Sequence, residues 1–351
     1  MKAKLTGLGI LLLVIVLAVA YTMFGKSRET TAISGYVGGE KIGLLEDEEV
    51  QELIQRKYHL EIDYSRAGSI EMVSTDHTGM DFLFPSSQTA LEIYESQYGN
   101  PFKSEIVLNT PIVLYARAAV TETLLAEGIA WEEDGVCYVD MEKLTACIEE
   151  GTSWAGIGLP ELYGNVTVAT TDPTKSNSGN MFAGLLANTL CGGTADGESL
   201  EEILPRLQTV FRNLGYMESS SSDLFDQFLK TGIGAKPLVA GYENQLLEFA
   251  VENPDTWQQV RDDIRIMYPS PTVWSSHVFI ALDEQGAAGI DALMDEEVQK
   301  MAWERHGFRT GINGSASDTE LFGVDGVADE VTRVMNMPDA DTMERIIEAL
   351  E

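Results

Sequence analysis

Residues 170–190, TTDPTKSNSGNMFAGLLANTL, combine residue types suited to holding a ligand: hydroxyls, amides and one lysine in a loop that runs straight into an apolar pattern. Val166 to Ala169 before it reads as a short strand. Met181, Phe182, Leu185, Leu186 and Leu190 recur after it at helical spacing, so the loop lies where a strand ends and a helix begins. A helix N-terminus presents backbone N–H groups without intrahelical partners and the positive end of the dipole, on which Ser176, Ser178 and neighbouring amides could converge to bind negative charge or carbonyl oxygens. The same residues serve equally as N-caps, so this stretch alone leaves a ligand cradle and an ordinary helix start both open.

Bond-breaking chemistry finds little support. There is no G-x-S-x-G and no S-x-x-K, and no histidine lies close in sequence to the hydroxyl-rich loops. His59, His77, His277 and His306 are scattered, without metal-ligand spacing, and each reads as a surface or core-edge residue; no metal site and no cofactor are expected. Cys137, Cys147 and Cys191 leave at least one thiol unpaired, which excludes a disulfide scaffold, and Cys147 falls on the apolar face of a helical pattern with Leu144 and Ile148. The 23 Lys+Arg residues stand against 56 Asp+Glu, a net charge of −33, so a nucleic-acid partner is excluded for want of a basic face. With 44% hydrophobic residues the chain still has enough apolar surface for a sizeable core.

The elements that must position such a loop are legible on either side of it. Lys2 and Lys4 precede an uncharged apolar run from Leu5 to Phe24, which targets the chain to a membrane as an N-terminal hydrophobic helix over residues 1–28. Ala18-Val19-Ala20 fits a signal-peptidase site, and the run also approaches the roughly 20 residues of a retained single-pass anchor. Beyond it, strand-like runs alternate with amphipathic helices, an α/β pattern long enough for about two domains. A strand is expected over 32–37, a helix over 47–58 with Val50, Leu53, Ile54 and Tyr58 on one face, and strands over 60–64 and 80–84. Each strand ends in small polar residues: Gly38-Gly39-Glu40-Lys41, Ala67-Gly68-Ser69, and Pro85-Ser86-Ser87-Gln88-Thr89. In open α/β sheets, loops at the carboxyl ends of strands face one crevice, which favours a shared site over plain turn chemistry.

Two extended, proline-interrupted runs, 106–116 and 264–282, have the character of paired crossings between lobes. Together with the loop at 170–179, the segment VAGYENQLLEFA at 239–250 and the segment LMDEEVQKMAWERHGFRTG at 293–311, they resemble the type II periplasmic or extracellular solute-binding proteins of the phosphate, sulfate and molybdate kind. Thr310 stands where that family usually has proline, and Gly-Gly-Glu-Lys replaces a first-lobe loop of the Ala-Ser-Ser kind. Glu40 could repel an oxyanion or grip a cation, and Lys41 the reverse. The acidic tail from Asp325 to Glu351 exceeds the family's usual endpoint.

The resemblance implies a two-lobed α/β fold with discontinuous lobes joined by two hinge strands: 29–110 with 270–351 as lobe 1 and 111–269 as lobe 2. It implies an extracytoplasmic protein, not an enzyme, that captures a small polar solute, an oxyanion being favoured, for an ABC-type membrane permease. The ligand-binding residues expected are Ser69, Ser86 and Ser87 from the first lobe and Thr171, Lys175, Ser176 and Ser178 from the second. Tyr242 lines the cleft or simply opens a helix with Glu243, and Lys175 either adds charge at the rim or is a solvated loop lysine. The competing classes are a membrane-anchored ligand-sensing ectodomain and, less favoured, a hydrolase built on the same cleft.

Overall fold

Period-two burial makes the first strand: in β1 (Thr31–Val37) Ile33, Gly35 and Val37 turn inward while Ser34 and Tyr36 stay half-buried. A single turn (Gly39–Lys41) and α1 (Ile42–Glu46) follow. The helix expected over 47–58 is α2 (Glu48–Tyr58), with Asp47 as its cap, accepting from the Glu49 and Val50 amides at 2.9 and 3.2 Å, and with Val50, Leu53 and Ile54 buried. The computed structural model describes residues 30–310 and 318–351. The N-terminal leader or anchor therefore lies outside the described residues, among which no helix is long and apolar enough to cross a membrane.

The remaining elements are β2 (Leu60–Arg66), α3 (Ser69–Ser74), β3 (Phe82–Phe84), α4 (Gln88–Tyr98), β4 (Lys103–Arg117), α5 (Ala118–Ala126), β5 (Ala130–Glu133), β6 (Val136–Asp140), α6 (Met141–Glu150), α7 (Asn177–Cys191), α8 (Gly197–Leu214), α9 (Ser221–Lys230), β7 (Leu238–Tyr242), α10 (Glu243–Glu252), α11 (Pro254–Val260), β8 (Ile264–Ser270), β9 (Thr272–Ala281), α12 (Glu284–Leu293), α13 (Glu296–Glu304), β10 (Arg309–Thr310), β11 (Val334–Met335) and α14 (Ala340–Leu350). The main strand order is β2-β1-β3-β9-β4-β8-β6-β5, with β7 and β10 also pairing β4 and β11 pairing β9.

Strand β4 explains the two lobes. Its first half, Lys103 to Pro111, pairs antiparallel with β9 from Ala281 to Trp274. Its second half leaves that sheet, pairing with β7 over Ile112 to Ala116 and with β8 over Leu114 to Arg117. Strands β8 and β9 make the return passage beside it, so the two runs picked out as crossings lie side by side between two sheets. The first lobe packs Ile33, Phe82, Phe84, Phe279 and Leu293 into one cluster. The second packs Leu114, Leu144, Phe182, Leu186, Leu207 and Phe211 into another.

Two expectations are corrected. Val166 to Ala169 is not a strand: it makes a single bridge, Ala169 with Val239, and Val166 and Val168 are buried as loop residues against the second-lobe core. The tail beyond residue 318, placed with the first lobe, packs largely on the second. Phe322, Val324 and Val327 join Ile264, Ile266 and Tyr268, and Met343 and Ile346 enter the second-lobe core, because α14 carries an apolar stripe that needs a partner.

Candidate functional site

The turn after β1 buries an ammonium in the first lobe, beside the point where the second lobe meets it. Lys41 is completely buried, and its Nζ donates to Glu40 Oε1 at 2.8 Å and Ser86 Oγ at 2.6 Å, and lies 3.1 Å from His277 Nδ1 and 4.9 Å from the Phe84 ring centre. An ammonium has three N–H donors, and all three have acceptors here. Burial lowers the pKa of Lys41, against the opposing charge of Glu40. Burial, and then the Lys41 charge, hold His277 well below the ordinary imidazole range. A neutral ring facing an ammonium through Nδ1 must accept there, which puts its proton on Nε2, 3.5 Å from Ser275 Oγ. Alternation along β9 aims Ser275 and His277 at this cluster and Trp274 and Ser276 at the other face.

The second lobe meets this cluster from the start of α7. Asn177 Nδ2 donates to the Ser86 carbonyl at 3.0 Å and to Tyr242 Oη at 3.1 Å, and Ser275 Oγ donates to the same carbonyl at 2.6 Å. Asn177 Oδ1 is buried without a partner. Behind it Thr171 Oγ1 and Ser178 Oγ lie 2.6 Å apart and Ser176 Oγ is 3.1 Å from Ser178 Oγ, a chain of hydroxyls along the first turn of the helix. Burial, then the nearby Glu40 charge, push the Tyr242 phenol far above its ordinary value, so it remains a proton donor.

The structure thus brings Ser86, Thr171, Ser176, Ser178 and Tyr242 together. Three other expected residues make contacts of their own, and two of them, Ser69 and Lys175, line one cavity of about 360 Å³ with Ser176 and Asn177. Ser69 Oγ accepts from the Ser86 amide at 2.9 Å and holds the loop in shape. Ser87 Oγ caps α4 by accepting from the Ala90 amide at 3.3 Å. Lys175 is mostly exposed and paired with Asp172 at 2.9 Å. Sequence reasoning weighed Glu40 and Lys41 as charges acting on a ligand without naming them as ligand-binding residues, and it left out Asn177, Ser275 and His277. It placed His277 and His306 at the surface or core edge, whereas both are buried. A polar Ser-x-His pair inside an otherwise apolar strand was the available signal.

Two further polar centres flank the hinge. Arg309 of the Gly-Phe-Arg turn forks onto buried Glu243, Nε to Oε2 at 2.6 Å and Nη2 to Oε1 at 2.8 Å, and Tyr268 Oη donates to the same carboxylate. The turn needs its glycine: Gly307 has φ +66°, and a Cβ there would lie 2.6 Å from Leu247 Cβ. His306 Nδ1 lies 2.6 Å from Glu248 Oε1 and its Nε2 3.3 Å from Asp47 Oδ2. Burial opposes protonation, but Glu248 and then Asp47 outweigh it and raise the pKa. Glu252 is close enough to complete a three-ligand group with Glu248 and His306, and both ring nitrogens of His306 already face carboxylates.

No protein-family model and no curated protein matches the sequence. Solved structures do match it in fold. A periplasmic thiamin binding protein superposes with a TM-score of 0.62 at 10% identity, covering 93% of this chain and 96% of its own. The substrate binding protein of an ABC transporter from Agrobacterium tumefaciens gives 0.60 at 14% over 93% and 96%. The sulfate-binding protein SubI from Mycobacterium tuberculosis H37Rv gives 0.55 at 13% over 90% and 96%. The chain has the two-lobed α/β fold of the type II solute-binding proteins. At such identities the likeness defines the architecture and leaves the ligand to be argued from the cleft itself.

Proposed function

We propose that this protein is an extracytoplasmic solute-binding protein that closes its lobes over a small polar solute, one bearing an anionic group, and delivers it to an ABC-type permease, held to or exported across the membrane by its N-terminal apolar run. The observation that carries the reading is the buried polar contact between lobes: Asn177 of α7, Tyr242 of β7 and Ser275 of β9 all converge on or beside the Ser86 carbonyl. Residues at that junction serve closure, since a solute bridging the lobes favours the closed state by its contacts to both. The preference for an anionic group rests on the Lys41 charge and on the hydroxyls of Ser86, Thr171, Ser178 and Tyr242, which can each donate, set against the carboxylate of Glu40 and the unpartnered acceptor Asn177 Oδ1. For an oxyanion to use Lys41, Glu40 has to release it.

Native mass spectrometry of protein purified without refolding, followed by calorimetric titration with sulfate, phosphate and molybdate and with amino acids, tests the reading. Saturable binding of an anion, weakened at least tenfold by Ser178→Ala with Asn177→Ala, is expected from the loss of hydrogen bonds to a charged partner. Tight binding of a cationic solute in their place refutes the anion preference, and the absence of any co-purifying or titratable solute refutes the function.

A further inference from the structure

From the course of the C-terminal segment we infer that residues 334–350 form a latch: a strap fixed to the second lobe that grips the first lobe around Glu92 and Ala340 and holds the lobes together. The inference goes beyond solute capture and rests on the two-lobed fold, whichever solute the cleft takes. The strap starts at the hinge itself, where β11 pairs parallel with Thr272 and Val273 of β9. Just before it, Arg333 lies 4.2 Å over the Tyr138 ring and 2.6 Å from Glu133, both on the second lobe's β5–β6 hairpin. Asn188 of α7 then donates to the Asn336 carbonyl at 2.8 Å. Met337 lies against Gly184 of the same helix so closely that a Cβ at 184 would sit 2.3 Å from its Cε.

The chain next crosses to the first lobe. Asp339 caps α14, and the Ala340 amide in the first turn donates to Glu92 Oε2 of α4 at 3.1 Å, with Ala340 packed against the Leu83, Ile93 and Ile280 cluster. A carboxylate facing the first turn of a helix is favoured by the dipole as well as by the hydrogen bond. The rest of α14 returns to the second lobe: Arg345 reaches the Gly197 carbonyl at 3.1 Å and Glu201 at 2.7 Å, and Met343 and Ile346 are buried in the second-lobe core. The grips are unequal. When the lobes part, α14 stays with the second lobe, and the hydrogen bond of Ala340 to Glu92 must break together with its packing on the first-lobe cluster.

Small-angle scattering and amide hydrogen exchange on the ligand-free full chain test this without reference to any solute. Glu92→Ala, a change at an exposed position outside the cleft cluster, should shift the closed-to-open ratio about three- to tenfold toward open, seen as a larger radius of gyration and faster exchange at the Ala340 amide. Glu92→Gln, which keeps an acceptor, should fall between parent and Ala. Parent and Glu92→Ala chains with the same radius of gyration and the same exchange at Ala340 would overturn the latch. So would faster exchange along the whole of α14 with no change in radius, which marks the helix as detached from the second lobe rather than released from the first.

Discussion

Replacing Lys41 by methionine puts the buried cluster to its sharpest test. The ammonium is fully buried and satisfies Glu40, Ser86 and His277 at 2.8, 2.6 and 3.1 Å, while the side chain of Glu40 is only 7% exposed. Methionine fits the stem's volume and removes the charge, leaving the Glu40 carboxylate buried without a cation beside Tyr242. Breaking a buried pair from one side costs about 3–5 kcal/mol, roughly two to four orders of magnitude in the folding equilibrium. Neutralising the survivor removes most of that penalty, so Lys41→Met with Glu40→Gln should recover at least half of the loss. Urea unfolding of the parent, both single variants and the double variant at pH 7 closes the cycle. A Lys41→Met chain within about 1 kcal/mol of the parent would show that the ammonium does not hold the cluster together. A double variant as unstable as the single would show that the stranded charge is not the cause.

The two buried histidines should give stability a maximum between them. His306 has its pKa raised, so its contribution is fully present below the ordinary value of about 6.5 and is lost as pH rises through the folded-state value; His306→Gln should flatten the urea-midpoint profile above that pH. His277 is depressed, so its contribution is present above about 6.5 and lost as pH falls toward its folded-state value; His277→Gln should flatten the acid side, and a profile unchanged by either variant refutes the assignments. Glu40→Gln, which frees one donor of Lys41, should raise anion affinity in the calorimetric titration, and unchanged or weaker binding would mean that Glu40 does not compete for Lys41. Lys175→Ala should leave affinity within about twofold, since its ammonium is exposed and paired with Asp172, whereas Ser87→Ala should cost about 0.5–2 kcal/mol of stability as a lost cap without weakening binding.

How much was legible follows from what each signal encodes. Hydrophobic periodicity records which face is buried, so α2, α7 and the crossing strands were within reach of the sequence: Val50, Leu53 and Ile54 repeat, and β4 and β9 carry unbroken apolar runs over Pro111 to Ala116 and Val278 to Ala281. Hydroxyls after strands mark loops without saying which way each points. Ser86 and Ser87 are neighbours in sequence, yet one meets the buried ammonium and the other caps a helix, a difference set by a single backbone turn. Lys41 and His277 are 236 residues apart, and only the pairing of β9 into the first lobe brings them together. The tail was placed wrongly for a related reason: the stripe on α14 announces that it needs a partner, while the choice of α7 and α8 over the first lobe is made by shape, through Met337 against Gly184 and Arg345 against Gly197.

The 15-residue strand β4 also dictates an order of assembly. Its first half and β3 both pair with β9, whose residues follow all of β5 to β8 in the chain. The first lobe is therefore half a sheet with two unsatisfied edges until residue 281 has emerged, whereas the second lobe needs only β4 to β8 to complete its ladder. Such late, long-range pairing is slow and leaves strand edges open to wrong partners. During synthesis the second-lobe ladder can therefore pair before the first-lobe one, on a strand whose other half is still waiting, while the second-lobe core is filled only when Met343 and Ile346 of α14 have emerged.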